Sequence, residues 1–554
     1  MDLDLKTPLS FSLLFAKLLA ARGLSDPEAV ERFIHPDLSG LGDPFLMKGV
    51  SEAAARIQRA VHACEKILIH GDYDVDGITG TALVARTLAR LKADFSTFLP
   101  DRARDGYGVC EEAIRRASQN GFSLLMTVDC GITAQKEIQM ARALGLDVIV
   151  IDHHRIPNDG LPPATVILNP LQEDCPYPFK EMTAAGLAFK LSQALIGEGA
   201  FELLDLAALS TVCDVAPLVG ENRLIVKKGL EVLSARRKPW IQALSRSASI
   251  KAREMNVGHL GFILGPRINA CGRMSSPEIS LRLLLTDHLR EAESLGKILE
   301  EENKMRQKEE RRVVKEAFQE VERTFHFNRD RVIVVGRRGW HAGVIGIVAS
   351  RLVEKFHRPA IVLALGESGL AKGSGRSIKD FHLFQALEAC KDLFEEFGGH
   401  AQAAGLTMRE ENVPVFREGV NRYALENFEP EIFAKKIAVD LELELAELAS
   451  TFIQELKWME PHGAGNPRPV FLTRNLAVKG KPERLCKGEA APALHKFFVT
   501  DGAFTYEAVW SERNGEWCGL EQGMKLDLIY SVKTKIWEGI ESLILEVKNA
   551  SHSS

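Results

Sequence analysis

The 554-residue chain lacks any CxxC pair among its nine cysteines, which are scattered from Cys64 to Cys518. Thiols spaced in this way fit a reducing compartment better than a disulfide frame or a zinc site, so the expected location is the cytoplasm. No apolar run approaches the length that spans a bilayer, which argues against a helical membrane protein. The opening stretch MDLDLKTPLSFSLLFAKLLAARG has acids where a signal peptide carries bases, and Lys17 interrupts its apolar run, so it reads as an amphipathic helix. A global excess of basic charge is missing too, since the formal net charge is -5. Any polyanion site must therefore be local. Walker A, nucleophile-elbow and HExxH patterns are absent, which leaves nucleotide-driven, serine and zinc-peptidase chemistries unsupported.

What the chain does have is acids and imidazoles at the ends of apolar runs. Residues 66–77, KILIHGDYDVDG, read as a buried strand that ends at His70 and delivers Asp72, Asp74 and Asp76 ahead of a helix. Ligands of open α/β sheets bind at the carboxyl ends of strands, so these acids occupy the usual active-site edge. Carboxylates this close repel one another without a counter-ion, and a divalent cation is the simplest remedy. A calcium loop of the EF-hand type also opens Asp-x-Asp-x-Asp-Gly, but its twelfth position would be Leu83 rather than an acid. The strand SLLMTV ends in Asp129, LDVIVID ends in Asp152, His153 and His154, and Asp214 follows an apolar helix. Each alone is compatible with a helix cap or solvated turn. Together His70, Asp74, Asp76, Asp129, His153, His154 and Asp214 suit two ions about 3.5–4 Å apart that share a bridging acid. Imidazole among the oxygen ligands favours manganese, and oxygen alone favours magnesium.

The pattern along the chain predicts an α/β protein in several parts. Residues 1–45 read as an N-terminal helical arm. Strand-like and helix-like segments then alternate, as in βαβ units on a parallel sheet, within a catalytic domain over 46–288. Residues 289–325, dense in charge and almost free of glycine, form one long, mostly solvated connecting helix. A second, smaller α/β lobe is expected over 326–430, and short strands over 431–554 suggest a small β-barrel.

The motifs HGDYDVDG, TVDCG, IDHH and STVCDVAPL resemble, in order and setting, the four motifs of the DHH phosphoesterase superfamily. The stretches GPRINACGRM, GRRGWHAGVIGIVASRLVEKFHRPAIVL, AKGSGRSIKDFHLFQAL, FGGHAQAAG and EPHGAGNPRPVF are similar to its RecJ branch, bacterial exonucleases specific for single-stranded DNA. The resemblance extends over nearly the whole chain. It implies a DHH domain, a DHHA1 domain that grips the substrate across a cleft, and a C-terminal OB-like domain. By resemblance His70, Asp74, Asp76, Asp129, His153 and Asp214 would ligate two Mn2+ or Mg2+ ions, with Asp129 as the bridge. His154 would meet metal or the scissile phosphate, and Asp152 would stand behind the ligands. Asp72 departs from much of the superfamily, whose corresponding position is not acidic.

The implied activity is hydrolysis of single-stranded DNA from a 5′ end, releasing 5′-mononucleotides in recombination and repair. The implied partners are the DNA strand, a helicase and a single-strand-binding protein, with a monomeric enzyme and no membrane. Two other readings are a phosphodiesterase for oligoribonucleotides or cyclic dinucleotides, and a catalytically silent replication scaffold. Arg267, Asn269 and Arg273 read as phosphate contacts, with a structural ion pair as the alternative for either arginine. In GSGRS, small residues would let backbone N–H groups approach an anion while Ser374, Arg376 and Ser377 supply side-chain contacts. His400 lies in a similar glycine-rich setting. Arg102, Arg104, Tyr107 and Gly108 form a smaller basic and aromatic group. Over 471–537 Phe471, Arg474, Lys479, Lys481, Arg484, Phe497, Tyr506, Trp510, Lys533, Lys535 and Trp537 interleave bases with aromatics. That composition suits base stacking, although aromatics also fill barrel cores.

Overall fold

The computed structural model describes residues 11–101, 106, 108–485, 493–511, 519–537 and 540–553. The chain forms two units. The first contains residues 1–266, 280–294 and 438–554, and the second contains 267–279 and 295–437.

In the first unit, β1 (Lys66–Gly71), β2 (Asp94–Phe98), β3 (Phe122–Val128), β4 (Asp147–Ile151) and β5 (Val166–Leu168) form one sheet in the order β2-β1-β3-β4-β5. Every pairing in it is parallel. Parallel strands need covering on both faces, which is why β3 and β4 read as continuous apolar runs. The helix Val75–Arg90 packs against the helices Ala184–Ile196 and Leu204–Cys213. It is buried nearly all round, and Gly80 is part of the reason: a Cβ there would stand 2.6 Å from Val128 Cγ1. The strands therefore end on one edge, in front of closely packed helices.

The same unit holds the C-terminal barrel. β11 (Leu441–Glu442), β12 (Phe471–Leu485), β13 (Leu494–Thr500), β14 (Thr505–Ser511), β15 (Lys525–Trp537) and β16 (Ile540–His552) run in the order β11-β12-β13-β14-β16-β15, and β12 also pairs with β15. That last pairing closes the ring and removes its free edges. The N-terminal helices Leu13–Ala21 and Pro27–Ile34 share the barrel's core, with Phe15, Leu18 and Ile34 beside Phe452, Phe471 and Trp510. The arm is thus a wall of the barrel, an association nothing in local sequence signals. Arg223 ties the parallel-sheet domain to the barrel from within the unit. Its guanidinium donates to the carbonyls of Phe33, Trp458, Met459, Glu460 and Pro461.

The second unit is built on β6 (Ile333–Arg338), β7 (Ala360–Leu365), β8 (Leu370–Arg376), β9 (Phe394–Gly399) and β10 (Ala403–Arg409), in the order β6-β7-β8-β10-β9. Only the β6–β7 pair is parallel. Strand alternation splits its core: Val332, Val334, Ile361 and Leu363 face one side, and Ile333, Val335 and Val362 the other. Val313, Ala317 and Val321 of the long helix Leu289–Thr324 cover the latter side. That helix begins in the first unit and continues into the second.

Candidate metal centre

The acids gather where β1, β3 and β4 end. Asp74 caps the helix Val75–Arg90, its Oδ1 accepting the N–H groups of Asp76 at 2.9 Å and Gly77 at 3.1 Å. A side chain at position 77 would meet the Asp72 carbonyl at 2.5 Å, so glycine allows the turn. Asp76 is held hardest. Its two oxygens accept the N–H groups of Ala184 and Ala185, each at 2.8 Å, and the Ser210 hydroxyl donates at 2.6 Å. These N–H groups are the unpaired donors at the start of the helix Ala184–Ile196, whose partial positive charge favours a carboxylate.

Asp129 follows β3 with φ of 63°, a left-handed conformation that non-glycine residues seldom adopt. Its Oδ1 is buried without a hydrogen-bond partner. Asp152 follows β4 and is almost wholly enclosed. One of its oxygens accepts the Ile132 N–H at 2.9 Å, and the other accepts both the His154 N–H at 3.0 Å and its Nδ1 at 2.7 Å. Nδ1 of His154 is thereby occupied, which leaves Nε2 as its outward nitrogen.

His153 Nε2 is the meeting point. It lies 3.4 Å from Asp129 Oδ1, 3.6 Å from Asp76 Oδ2 and 3.8 Å from Asp214 Oδ2. Among the described residues three sets of ligand atoms fall within 4.8 Å of one another: Asp129, His153 and His154; Asp76, His153 and Asp214; Asp72, Asp74 and Asp129. The shared members His153 and Asp129 make this one continuous cluster. Asp72 belongs to it, although residue spacing left its role open.

Without a cation this arrangement is electrostatically unfavourable. Burial, then the charges of Asp76, Asp74, Asp72 and Asp152, push Asp129 well above the ordinary carboxylate range. Burial and the same neighbours Asp76 and Asp74 raise Asp214 to about 8. Burial also lowers His153, so its ring is held neutral, the form that a metal takes. Burial opposes charge on His154, but the Asp152 hydrogen bond and the charges of Asp152, Asp76 and Asp214 raise it to about 9. A buried acceptor without a donor, a neutral imidazole and several crowded carboxylates are the donor set of a divalent-cation site.

Asp74, Asp76, Asp129, His153, His154 and Asp214 thus come together. His70 is fully buried and lies outside the three sets, its Nε2 accepting the Cys110 N–H at 3.0 Å. Sequence reasoning passed over Thr183 and Ser210. Their hydroxyls lie 2.7 Å apart, and the Ser210 hydroxyl braces Asp76. The Ser in STVCD was the available signal.

Three family profiles match this chain: the DHH family N-terminal domain over residues 66–211, the DHHA1 domain over 329–426 and the RecJ OB domain over 439–549. The single-stranded-DNA-specific exonuclease RecJ of Bacillus subtilis is 39% identical over 552 residues, covering 99% of this chain and 69% of that protein. The chain belongs to the RecJ family. Its Escherichia coli counterpart is 36% identical over 488 residues, 84% of each chain. The crystal structure of RecJ with Mn2+ from Thermus thermophilus superposes with a TM-score of 0.82 at 30% identity, covering 99% of this chain and 79% of that one. A second RecJ structure, bound to manganese, gives 0.61 at 37% identity, covering 71% and 97%.

Of the remaining residues singled out in this RecJ-family chain, most have partners of their own. Arg267 Nε donates to Glu300 at 2.7 Å, the structural ion pair held open as the alternative. Arg273 donates to the Gly343 carbonyl at 3.2 Å, and Asn269 lies part-exposed on the helix Gly265–Met274. Arg376 reaches the Ser374 hydroxyl at 3.2 Å and the Gly375 carbonyl at 2.7 Å, while Ser377 Oγ donates to the Phe381 carbonyl at 2.7 Å. His400 is exposed in the β9–β10 turn. The backbone of Gly373 and Gly375 pairs with strands on both sides, so its N–H groups belong to the sheet, contrary to the expectation that they meet an anion. A Cβ at Gly373 would stand 2.6 Å from Leu406 Cδ1, so the glycine answers to packing. Phe471, Phe497 and Trp510 are core residues of the barrel. Arg102, Arg104 and Tyr107 lie outside the described residues.

Proposed function

We propose that this chain is a metal-dependent exonuclease that degrades single-stranded DNA from the 5′ end and releases 5′-mononucleotides, in recombination and repair. The observation that carries the reading is the convergence of Asp76, Asp129 and Asp214 on His153 Nε2 within 3.4–3.8 Å in a chain of the RecJ family. Two ions, Mn2+ or Mg2+, would be held by Asp72, Asp74, Asp76, Asp129, His153 and Asp214. His70 joins them if its Nε2 exchanges the Cys110 N–H for an ion. Bound there, a cation pair lowers the pKa of water and offsets the charge of a phosphodiester in the transition state.

The protein's own contribution is rigidity and charge placement. The start of the helix Ala184–Ile196 holds both oxygens of Asp76 in place, so a ligand oxygen is presented without reorganisation. Asp152 sets the ring of His154 and lets its Nε2 hold a proton that can meet a phosphate oxygen. In the second unit, Arg267, Asn269, Arg273, Ser374, Arg376, Ser377 and His400 are proposed substrate contacts through side chains. The proposed domains are a helical arm over 1–45, a DHH catalytic domain over 46–288, a connecting helix over 289–325, a DHHA1 domain over 326–430 and an OB-like domain over 431–554. A cytoplasmic monomer working with a helicase and a single-strand-binding protein completes the proposal. No helix among the described residues is long and apolar enough to cross a membrane.

The test uses oligonucleotides labelled at either end, as single strands and as duplexes, together with cyclic dinucleotides, each incubated with Mn2+. Labelled mononucleotide appearing first from the 5′ label of single strands is the expected result. First release from the 3′ label would reverse the polarity. Cleavage confined to dinucleotides would leave the phosphodiesterase reading, and no cleavage the scaffold reading.

A further inference from the structure

The segment before the Gly265–Met274 helix carries a feature that metal binding leaves unexplained. Leu260–Leu264 is wound as a π-helix between the short turn Val257–His259 and that helix. Such turns insert an extra residue and occur often at functional sites. Leu260 and Leu264 are wholly buried, whereas Phe262 is 84% exposed, the largest exposure of any large apolar side chain among the described residues.

The π turn is clamped against the helix that ends at Asp214. Cys213 Sγ donates to the Leu260 carbonyl at 3.6 Å, and a Cβ on Gly265 would stand 2.3 Å from that sulfur. A Cβ on Gly261 would stand 3.4 Å from Val212 Cγ1. The backbone on either side of Phe262 is therefore fixed to the two residues that precede a proposed metal ligand. On the far side of Asp214, Val215 adopts φ of 60° and is 69% exposed. A β-branched residue is a genuine outlier in that conformation. Single exposed apolar side chains are ordinary. Here two of them sit on constrained backbone, Val215 next to Asp214 in the chain and Phe262 on a turn clamped to Val212 and Cys213.

We propose that Phe262 is a stacking platform for an unpaired nucleobase, with Val215 as its apolar edge, beside the phosphodiester at the metal centre. The proposal rests on the exonuclease reading and adds a substrate contact to it. A base within a duplex has both faces covered by its neighbours, so the ring selects for a single strand. Every base has a π-face, so the contact tolerates any sequence.

The experiment compares wild type, Phe262→Ala and Phe262→Trp on single-stranded oligonucleotides with saturating Mn2+. Single abasic residues are walked through the first nucleotides of the substrate. Phe262→Ala is expected to raise KM about ten-fold, within the range for loss of one base–aromatic stack, with kcat changed far less. Phe262→Trp should retain low KM. An abasic residue at the stacked position should raise the wild-type KM similarly and that of Phe262→Ala no further. Equal KM values on intact strands, or additive effects at every position, would overturn the proposal. A lowered melting temperature of Phe262→Ala would overturn it too, by marking the ring as packing. Failure of wild type to cut single strands would instead count against the exonuclease reading.

Discussion

The parallel-sheet edge of the first unit and the glycine-rich strand β8 of the second both carry dense motifs, yet their side chains are in opposite conditions. At the sheet edge, Asp129 has a buried oxygen without a donor, and Asp214 is raised to about 8 by burial and by Asp76 and Asp74. In β8, Arg376 and the neighbouring Ser377 find acceptors close by in the chain, and the glycines fill a packing need. Motif density is therefore a poor guide to ligand binding by itself. Unrelieved charge repulsion in a fixed frame is the sharper sign, because folding would have removed it had nothing been bound.

The largest expected effect lies at the sheet edge. His153→Ala or Asp74→Ala should lower cleavage of labelled single strands by about a thousand-fold or more, while gel-shift affinity for the strand is retained. His70→Ala, whose imidazole lies outside the three ligand sets, should lose less. A His70→Ala loss equal to that of His153→Ala would show that the ion site extends past the cluster. Asp129→Asn should also abolish turnover yet raise the melting temperature in EDTA, since it removes one of several repelling charges. A fall in melting temperature there would undo the contrast with β8.

Next in size is the packing of β8. Gly373→Val forces a side chain into Leu406 and Leu363, and overpacking of this kind costs about 1–3 kcal/mol, read by denaturant unfolding of the full chain. Unchanged stability would mean that the glycine serves a ligand after all.

The pH dependence comes third. In the metal-free protein Asp214 is raised to about 8, and His154, against its burial, to about 9 by Asp152. Between pH 6.5 and 8 both groups hold a proton in the folded chain that the unfolded chain has largely released. Melting temperature in EDTA should therefore fall as pH rises through that window. Stabilisation by added Mn2+ should grow over the same window, because binding displaces the Asp214 proton. A rise in metal-free stability with pH would contradict both shifts.

The smallest effect belongs to the barrel. Lys479 is exposed on β12, and Lys479→Ala should change stability by less than about 0.5 kcal/mol. If it touches phosphate, the salt slope of strand binding should drop by about one. An unchanged slope would remove it from the strand's path.

Much of this was legible along the chain. Apolar runs of strand length that end in an acid or imidazole are local features, and they mark β1, β3 and β4 along with Asp74, Asp129 and His153. Charge density and the near-absence of glycine marked the long helix in the same local way. Other features needed the fold. The packing of Phe15 and Ile34 into the barrel core joins residues more than four hundred positions apart, and no periodicity encodes such a pairing. The bracing of Asp76 by Ala184, Ala185 and Ser210 depends on where two helices begin and end in space.

The amino-acid sequence by itself determined which residues could bear chemistry and which strand ends would present them, because hydrophobic period and turn composition act over a few residues. Tertiary structure alone decided that Asp72 joins the cluster, that Arg267 pairs with Glu300, that Phe497 and Trp510 fill a core, and that Phe262 faces solvent. Burial and charge proximity are properties of neighbours in space, and those neighbours are chosen only when the whole chain packs.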